Sequence, residues 1–159
     1  MKLIPISEHP DSAKILYDLL AEREPSASIS HKKMPTWEEH LVHVGWMAPP
    51  SSRQAHSDVG DVGARLGEPR YQGWFLIQVD DLAEPEGAIY LTRRNEIGVA
   101  IFRKWRGYGY GPRAVRLLIE KYGPAHYLAN VAPANEASRK MFEKLGFRTI
   151  QHTLALDAD

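Results

Sequence analysis

Positions 106 to 113 read Arg106-Gly107-Tyr108-Gly109-Tyr110-Gly111-Pro112-Arg113, three glycines alternating with two tyrosines between a strand-like and a helix-like segment. A bare-backbone turn that opens a helix leaves several N–H groups unpaired and aimed the same way, at the positive end of the helix dipole. The chemistry this suits is anion binding: main-chain donors hold a phosphate or pyrophosphate without a charged side chain. The run is not the phosphate loop of nucleotide hydrolases, which needs Lys-Ser/Thr after its last glycine where this chain has Pro112-Arg113. Nor has it the dinucleotide-binding spacing, in which three glycines follow the first strand of a βαβ unit. The competing reading is a glycine turn whose tyrosines only pack.

The elements that must position this turn follow from periodicity and punctuation. Leu3 to Ile6 reads as a short first strand. Ser7 to Arg23 reads as a helix with Ala13, Leu16, Tyr17, Leu20 and Ala21 on one face, stopped by Pro25. Thr36-Trp37-Glu38-Glu39 is a capping box that starts a second helix, expected to bury Trp37, Leu41 and Val44. Ala48 to Gly73, with Pro49-Pro50 and four glycines, is long for a loop in a compact domain. Trp74–Val79, Gly87–Thr92 and Glu96–Phe102 read as strands, with Asp80 to Glu86 as the hairpin between the first two. Pro112 to Tyr122 is a helix ended by Gly123-Pro124, and His126 to Val131 a further strand. Ala134 to Leu145 is the last helix, closed by Gly146, and Phe147 to Leu156 a final strand. The order is α+β, and strand–helix–strand–helix–strand in the second half favours at least one parallel strand pair.

Composition narrows the partners. A chain of 159 residues fits one domain, 1–159, with room for a substantial core. Twenty Lys and Arg balance twenty Asp and Glu, so nothing in the net charge marks a nucleic-acid binder. The absence of cysteine excludes disulfides, a thiol nucleophile and thiolate metal sites. The first residues are too soon charged for a signal peptide, and no apolar run approaches membrane-spanning length, so the expectation is a soluble cytoplasmic protein.

Arg106-x-x-Gly109-x-Gly111 at a strand-to-helix junction resembles the coenzyme A pyrophosphate loop of the GCN5-related N-acetyltransferase (GNAT) superfamily. A second match lies downstream, where Asn135-Glu136-Ala137-Ser138 and Met141-Phe142-Glu143-Lys144-Leu145-Gly146-Phe147 resemble that family's Asn-x-x-Ser/Ala and Tyr-Glu-Lys-Leu-Gly-Phe segments. The resemblance covers essentially the whole chain, strongly from Gly87 to Leu156. It implies a three-layer α/β arrangement: a mixed, mostly antiparallel sheet with a splayed parallel pair, flanked by helices. It also implies acetyl-CoA as donor, no metal, and direct attack of an amine on the thioester without a covalent enzyme intermediate.

Carried over position by position, the resemblance implies a donor site. Main-chain donors from Gly107, Tyr108, Gly109, Tyr110 and Gly111 would meet the pyrophosphate, with Arg106 orienting the loop or meeting a phosphate. Arg113 and Lys140 would approach the outer phosphates; the plainer reading of each is a solvated helix face. Pantetheine would pair with the fourth strand along Ile97, Val99, Ala100 and Ile101, whose N–H groups near Val99 to Ile101 would polarise the carbonyl. Asn130, Asn135 and Ser138 would line its other side, Asn135 being equally a helix N-cap. An alkyl amine is protonated at neutral pH, so a base or water relay is needed. Glu96, where the fourth strand begins, is the first choice, ahead of Asp80, Asp81, His31 and His126. The tyrosine usual in the last helix is replaced by Phe142, which leaves Ser138, Tyr108, Tyr110 or water to protonate the thiolate. The acceptor pocket would take His31, Lys32, Trp37 and Glu96. Its expected ligand is a small-molecule amine, such as a nucleotide-linked amino sugar. A protein N-terminus or lysine, a modified nucleobase, or a coenzyme-binding module without catalysis are the alternatives. The protein would be a monomer or homodimer.

Overall fold

In a computed structural model the described residues are 1–24, 33–45, 70–81 and 83–156. The sheet has four strands, β1 (Lys2–Pro5), β2 (Tyr71–Gln78), β3 (Gly87–Thr92) and β4 (Ile97–Ile101), in that spatial order and antiparallel throughout. Four helices accompany it: α1 (Ser12–Ala21), α2 (Trp37–His43), α3 (Tyr110–Tyr122) and α4 (Glu136–Lys144).

The unbroken apolar run Phe75-Leu76-Ile77 in β2 follows from burial on both faces of the sheet. Phe75 and Ile77 point one way with Ile89, Leu91 and Ile97, against Ala114, Val115 and Leu118 of α3 and Phe142 of α4. Leu76 and Ala88 point the other way, against Ala13, Leu16 and Leu19 of α1 and Val44 after α2. Successive strand residues face opposite sides, so a strand with a helical layer on each face has no polar alternation to show. Three layers result: α1 and α2, the sheet, then α3 and α4.

Several sequence expectations change in detail. The first helix begins at Ser12 rather than Ser7; a single 3-10 turn over Ile6–Glu8 precedes it. The Thr36 capping box forms: its hydroxyl accepts from the Glu39 N–H at 3.2 Å, and the Glu39 carboxylate accepts from the Thr36 N–H at 2.8 Å. Of the residues expected inside, Val44 is buried and Leu41 packs beside it, but Trp37 does not follow. Trp37 stays 39% exposed, while His40 is 1% exposed and takes the inner position.

The segment expected as a strand over His126 to Val131 contributes a single parallel bridge, Leu128 beside Glu96. Ile97 donates to the Leu128 carbonyl at 2.8 Å, and Leu128 to the Asn95 carbonyl at 2.9 Å. The two chains part beyond that point. Phe147 to Leu156 forms no strand either, and Leu154 and Leu156 are almost wholly exposed. With only one rung formed on the neighbouring segment, a last strand has no regular ladder to join.

Candidate active site

The glycine turn is built for main-chain recognition. β4 runs into a single turn of 3-10 helix, Arg103–Trp105, pinned to the end of α1 where the Arg103 N–H donates to the Glu22 carboxylate at 2.7 Å. Gly107 and Gly109 then take φ of +84° and +77°, the left-handed region that side chains rarely adopt. A Cβ at either would meet nothing within 4 Å, so the requirement is conformational rather than steric. Gly111 differs: it is buried, and a Cβ there would press on the Met141 sulfur at 3.1 Å, so it sets how closely α3 and α4 approach. Gly109 caps α3 without any side-chain hydrogen bond. Among the described residues no backbone carbonyl accepts from the N–H groups of Gly107 to Gly111. Arg106 Nε donates to the Ile101 carbonyl at 3.1 Å and fastens the turn to the end of β4. Free donors, an uncapped helix start and a bare backbone fit a pyrophosphate.

The outer edge of β4 is open as well. Ile97 N–H faces Leu128, so by strand alternation the N–H groups of Val99 and Ile101 face the same side. No described backbone group takes them there. Past Leu128 these outward N–H groups have no described backbone partner, so an extended ligand chain can pair with β4 there.

On the α1–α2 face of the sheet lies a cavity of about 600 Å³, a size common for small-molecule sites. Its floor is Gly98, Val99 and Ala100 of β4. One wall is aromatic: the Tyr71 and Trp74 ring centroids lie 4.6 Å apart, Tyr90 packs edge-on to both, and His43 closes edge-on against Trp74 at 5.7 Å. His43 Nδ1 lies 3.5 Å from the Arg70 guanidinium and Nε2 lies 3.3 Å from the Tyr71 hydroxyl. A guanidinium only donates, so Nδ1 accepts and Nε2–H donates to Tyr71. Among the described residues, Arg23, Lys33 and Arg70 line the cavity with a single carboxylate, Glu39, which is held in the α2 cap. His40 donates Nε2–H to the Ala13 carbonyl at 2.7 Å, and its Nδ1 is buried without a partner. Burial pushes the His40 pKa below its ordinary 6.5, with the Ala13 bond opposing.

Comparisons with known proteins bear on this geometry. Residues 31–148 match the family described as "Acetyltransferase (GNAT) domain", which is most of the chain and includes both the glycine turn and α4. The chain belongs to the GNAT acetyltransferase family. By that membership it is an N-acetyltransferase, and acetyl-CoA is the donor its family uses. Among solved structures it is similar to an N-acetyltransferase from Staphylococcus aureus Mu50, with 15% identity and a TM-score of 0.56. That likeness, covering 92% of this chain and 81% of the other, speaks to the fold. No curated protein sequence matches the chain.

The sequence-expected residues fall into three places in this acetyltransferase. Ile97, Val99, Ala100 and Ile101 form the β4 edge, and Gly107 to Gly111 the turn. Tyr108 is 64% exposed and stacks on Tyr110 at 5.7 Å. Arg113 and Lys140 lie on helix surfaces, Lys140 3.8 Å from Glu136. Asn135 caps α4, its side-chain oxygen accepting from the Ser138 N–H at 3.2 Å. Phe142 is 6% exposed in the core between the sheet and α4, edge-on to Phe147. Glu96 stands just before β4, clamped by the Thr92 hydroxyl at 3.2 Å and the Asn130 amide at 3.1 Å. Trp37 stacks on His40 beside the cavity without lining it. His31, Lys32 and most of Ala48–Gly73 lie outside the described residues.

Sequence reading passed over Tyr90, Tyr71, Trp74 and His43. Tyr90 and Trp74 sit in strands whose bulk reads as core, Tyr71 fell in the segment read as a loop, and their shared face appears only once β2, which starts at Tyr71, and β3 are in register, Trp74 opposite Tyr90. For His43 the signal was available: His40 and His43 are three apart on one helix, hence neighbours on its surface.

Proposed function

We propose that this acetyltransferase moves the acetyl group of acetyl-CoA to the primary amine of a small molecule bearing an anionic group and a ring, such as a nucleotide-linked amino sugar. The observation that carries the reading is the cavity, whose described lining residues give an aromatic wall, three cationic side chains and one carboxylate held in the α2 cap, with β4 as the floor. Aromatic faces take sugar or base rings, and the cations at the rim take phosphate or carboxylate. A polyamine would find no free carboxylate among the described lining residues.

In this reading the donor's pyrophosphate rests on the N–H groups from Gly107 to Gly111, with Arg113 and Lys140 toward its outer phosphates. The pantetheine arm runs along Ile97 to Ile101, facing Asn130, Asn135 and Ser138. The bound donor supplies an activated acetyl carbon. The N–H groups of Val99 and Ile101 polarise its carbonyl, and Glu96, directly or through water, takes the proton that frees the amine.

The test is a panel of amines scored by thiol release from acetyl-CoA: phosphorylated and nucleotide-linked amino sugars, polyamines, and peptides with free N-termini or lysines. The anionic amino sugars are expected to give the highest kcat/KM, by about tenfold or more, with KM rising as salt screens the cationic rim. A polyamine or peptide outranking them would overturn the acceptor assignment.

A further inference from the structure

Tyr90, part of the aromatic wall, also places its hydroxyl where the reaction needs a proton. It lies on β3 opposite Gly98 of β4 and lines the cavity. A methyl group at position 98 would collide with the Tyr90 ring and hydroxyl. The bare α-carbon of Gly98 therefore lets the phenol lie across β4, with its oxygen over the main chain one residue from the outward N–H of Val99. Tyr71 and Trp74 hold the ring edge-on at 5.2 and 5.9 Å. Arg23 and Glu96 are the charged groups whose fields reach it, and burial, the largest influence, raises its pKa above 10.0. The phenol is neutral throughout the physiological range.

The position in the last helix from which the family supplies a tyrosine holds Phe142, buried in the core. Ser138, Tyr108 and Tyr110 do not line the cavity; neither does Glu96, but its field reaches Tyr90. We infer that Tyr90 is a catalytic residue whose hydroxyl relays the last proton of the attacking amine to the departing sulfur. The inference rests on the acetyl-transfer reading above.

The protons balance as follows. An alkylammonium loses two protons on becoming an amide. The first goes to Glu96 or water, and on to solvent, before attack. The neutral nitrogen's lone pair then forms the N–C bond as the carbonyl pair moves onto oxygen, where the β4 N–H groups meet it. As that pair returns and the C–S bond breaks, the bonding electrons leave on sulfur. The Tyr90 oxygen takes the surplus proton from nitrogen while its own proton passes to sulfur. Nitrogen and sulfur are then substituents of one carbon, so a single hydroxyl reaches both. Tyr90 ends as it began, and a phenol too weak an acid to donate outright can serve because no phenolate accumulates.

The probe is coenzyme A itself, its bound thiol titrated by thiolate absorbance in the wild type and in Tyr90→Phe, a variant that keeps the ring and its packing. A hydroxyl donating to sulfur favours the thiolate. The bound thiol in the wild type should therefore titrate below the free one, and in Tyr90→Phe about one unit higher than in the wild type. Coenzyme affinity measured well below the thiol pKa should agree within about twofold, and kcat with the best amine of the panel should fall about a hundredfold at constant acetyl-CoA KM. Superimposable thiol titrations would overturn the role of Tyr90 while leaving acetyl transfer standing. Failure of coenzyme A to bind either protein would overturn the acetyl-transfer reading, and this inference with it.

Discussion

At the residue scale the two halves of the site use different chemistry. The proposed donor half is almost wholly main chain: glycines at positive φ, an uncapped helix start and the outward N–H groups of β4. Side chains there fasten rather than bind, as Arg106 does on the Ile101 carbonyl. The proposed acceptor half is built from side chains, with rings and cations among its described lining residues. Glu96 stands between them, and its clamp by Thr92 and Asn130 leaves each carboxylate oxygen a further lone pair for an amine or a water. Glu96→Gln keeps the size of the side chain and removes the proposed base. We expect kcat to fall about a hundredfold near neutral pH with KM for acetyl-CoA unchanged, the usual scale for losing one acid–base group. Steady-state kinetics with the best amine of the panel measure this, and an unchanged kcat would take Glu96 out of the mechanism.

At the element scale the legible features were those whose cause is local. The Thr36 capping box, the Asn135 cap, the Gly146 stop (φ +96°) and the β3 bounds follow from a few adjacent residues, and all appear as read. What was not legible depends on a partner elsewhere. Whether His126–Val131 completes a strand depends on how far β4 stays beside it, and whether Phe147–Leu156 does depends on that strand in turn. The same holds for α2, where Trp37 looked like the anchor and His40 took the inner place because the Ala13 carbonyl of α1 satisfies its Nε2–H. That burial has a pH signature. His40 titrates below 6.5 in the folded protein and near its ordinary value when unfolded, so between those two values the unfolded chain binds more protons. Its contribution to stability is complete above 6.5 and is lost as pH falls through that window. Denaturant unfolding between pH 7.5 and 5 should show stability dropping in that interval, with a shallower drop in His40→Gln. An identical slope in the two proteins would contradict the buried neutral ring.

At the scale of the whole molecule the sheet is the device that joins donor to acceptor. The glycine turn proposed to hold the pyrophosphate leaves one end of β4, the cavity uses the middle of the same strand as its floor, and Glu96 precedes its other end. The α3–α4 layer sets the turn and the α1–α2 layer encloses the cavity. A single bridge at Leu128 then leaves the strand's outer edge open between them. The most direct test of this arrangement is a coupled measurement on the wild type and Gly109→Val, with acetyl-CoA and a phosphorylated amino sugar. Thiol release is followed while mass spectrometry counts acetyl groups on the acceptor nitrogen. The account predicts one acetamide per thiol released in the wild type. In Gly109→Val, where a β-branched residue is forced to φ near +77°, it predicts acetyl-CoA KM raised at least tenfold. Coenzyme bound tightly with no acetyl transferred to this or any other amine, or donor affinity unchanged in Gly109→Val, would contradict it.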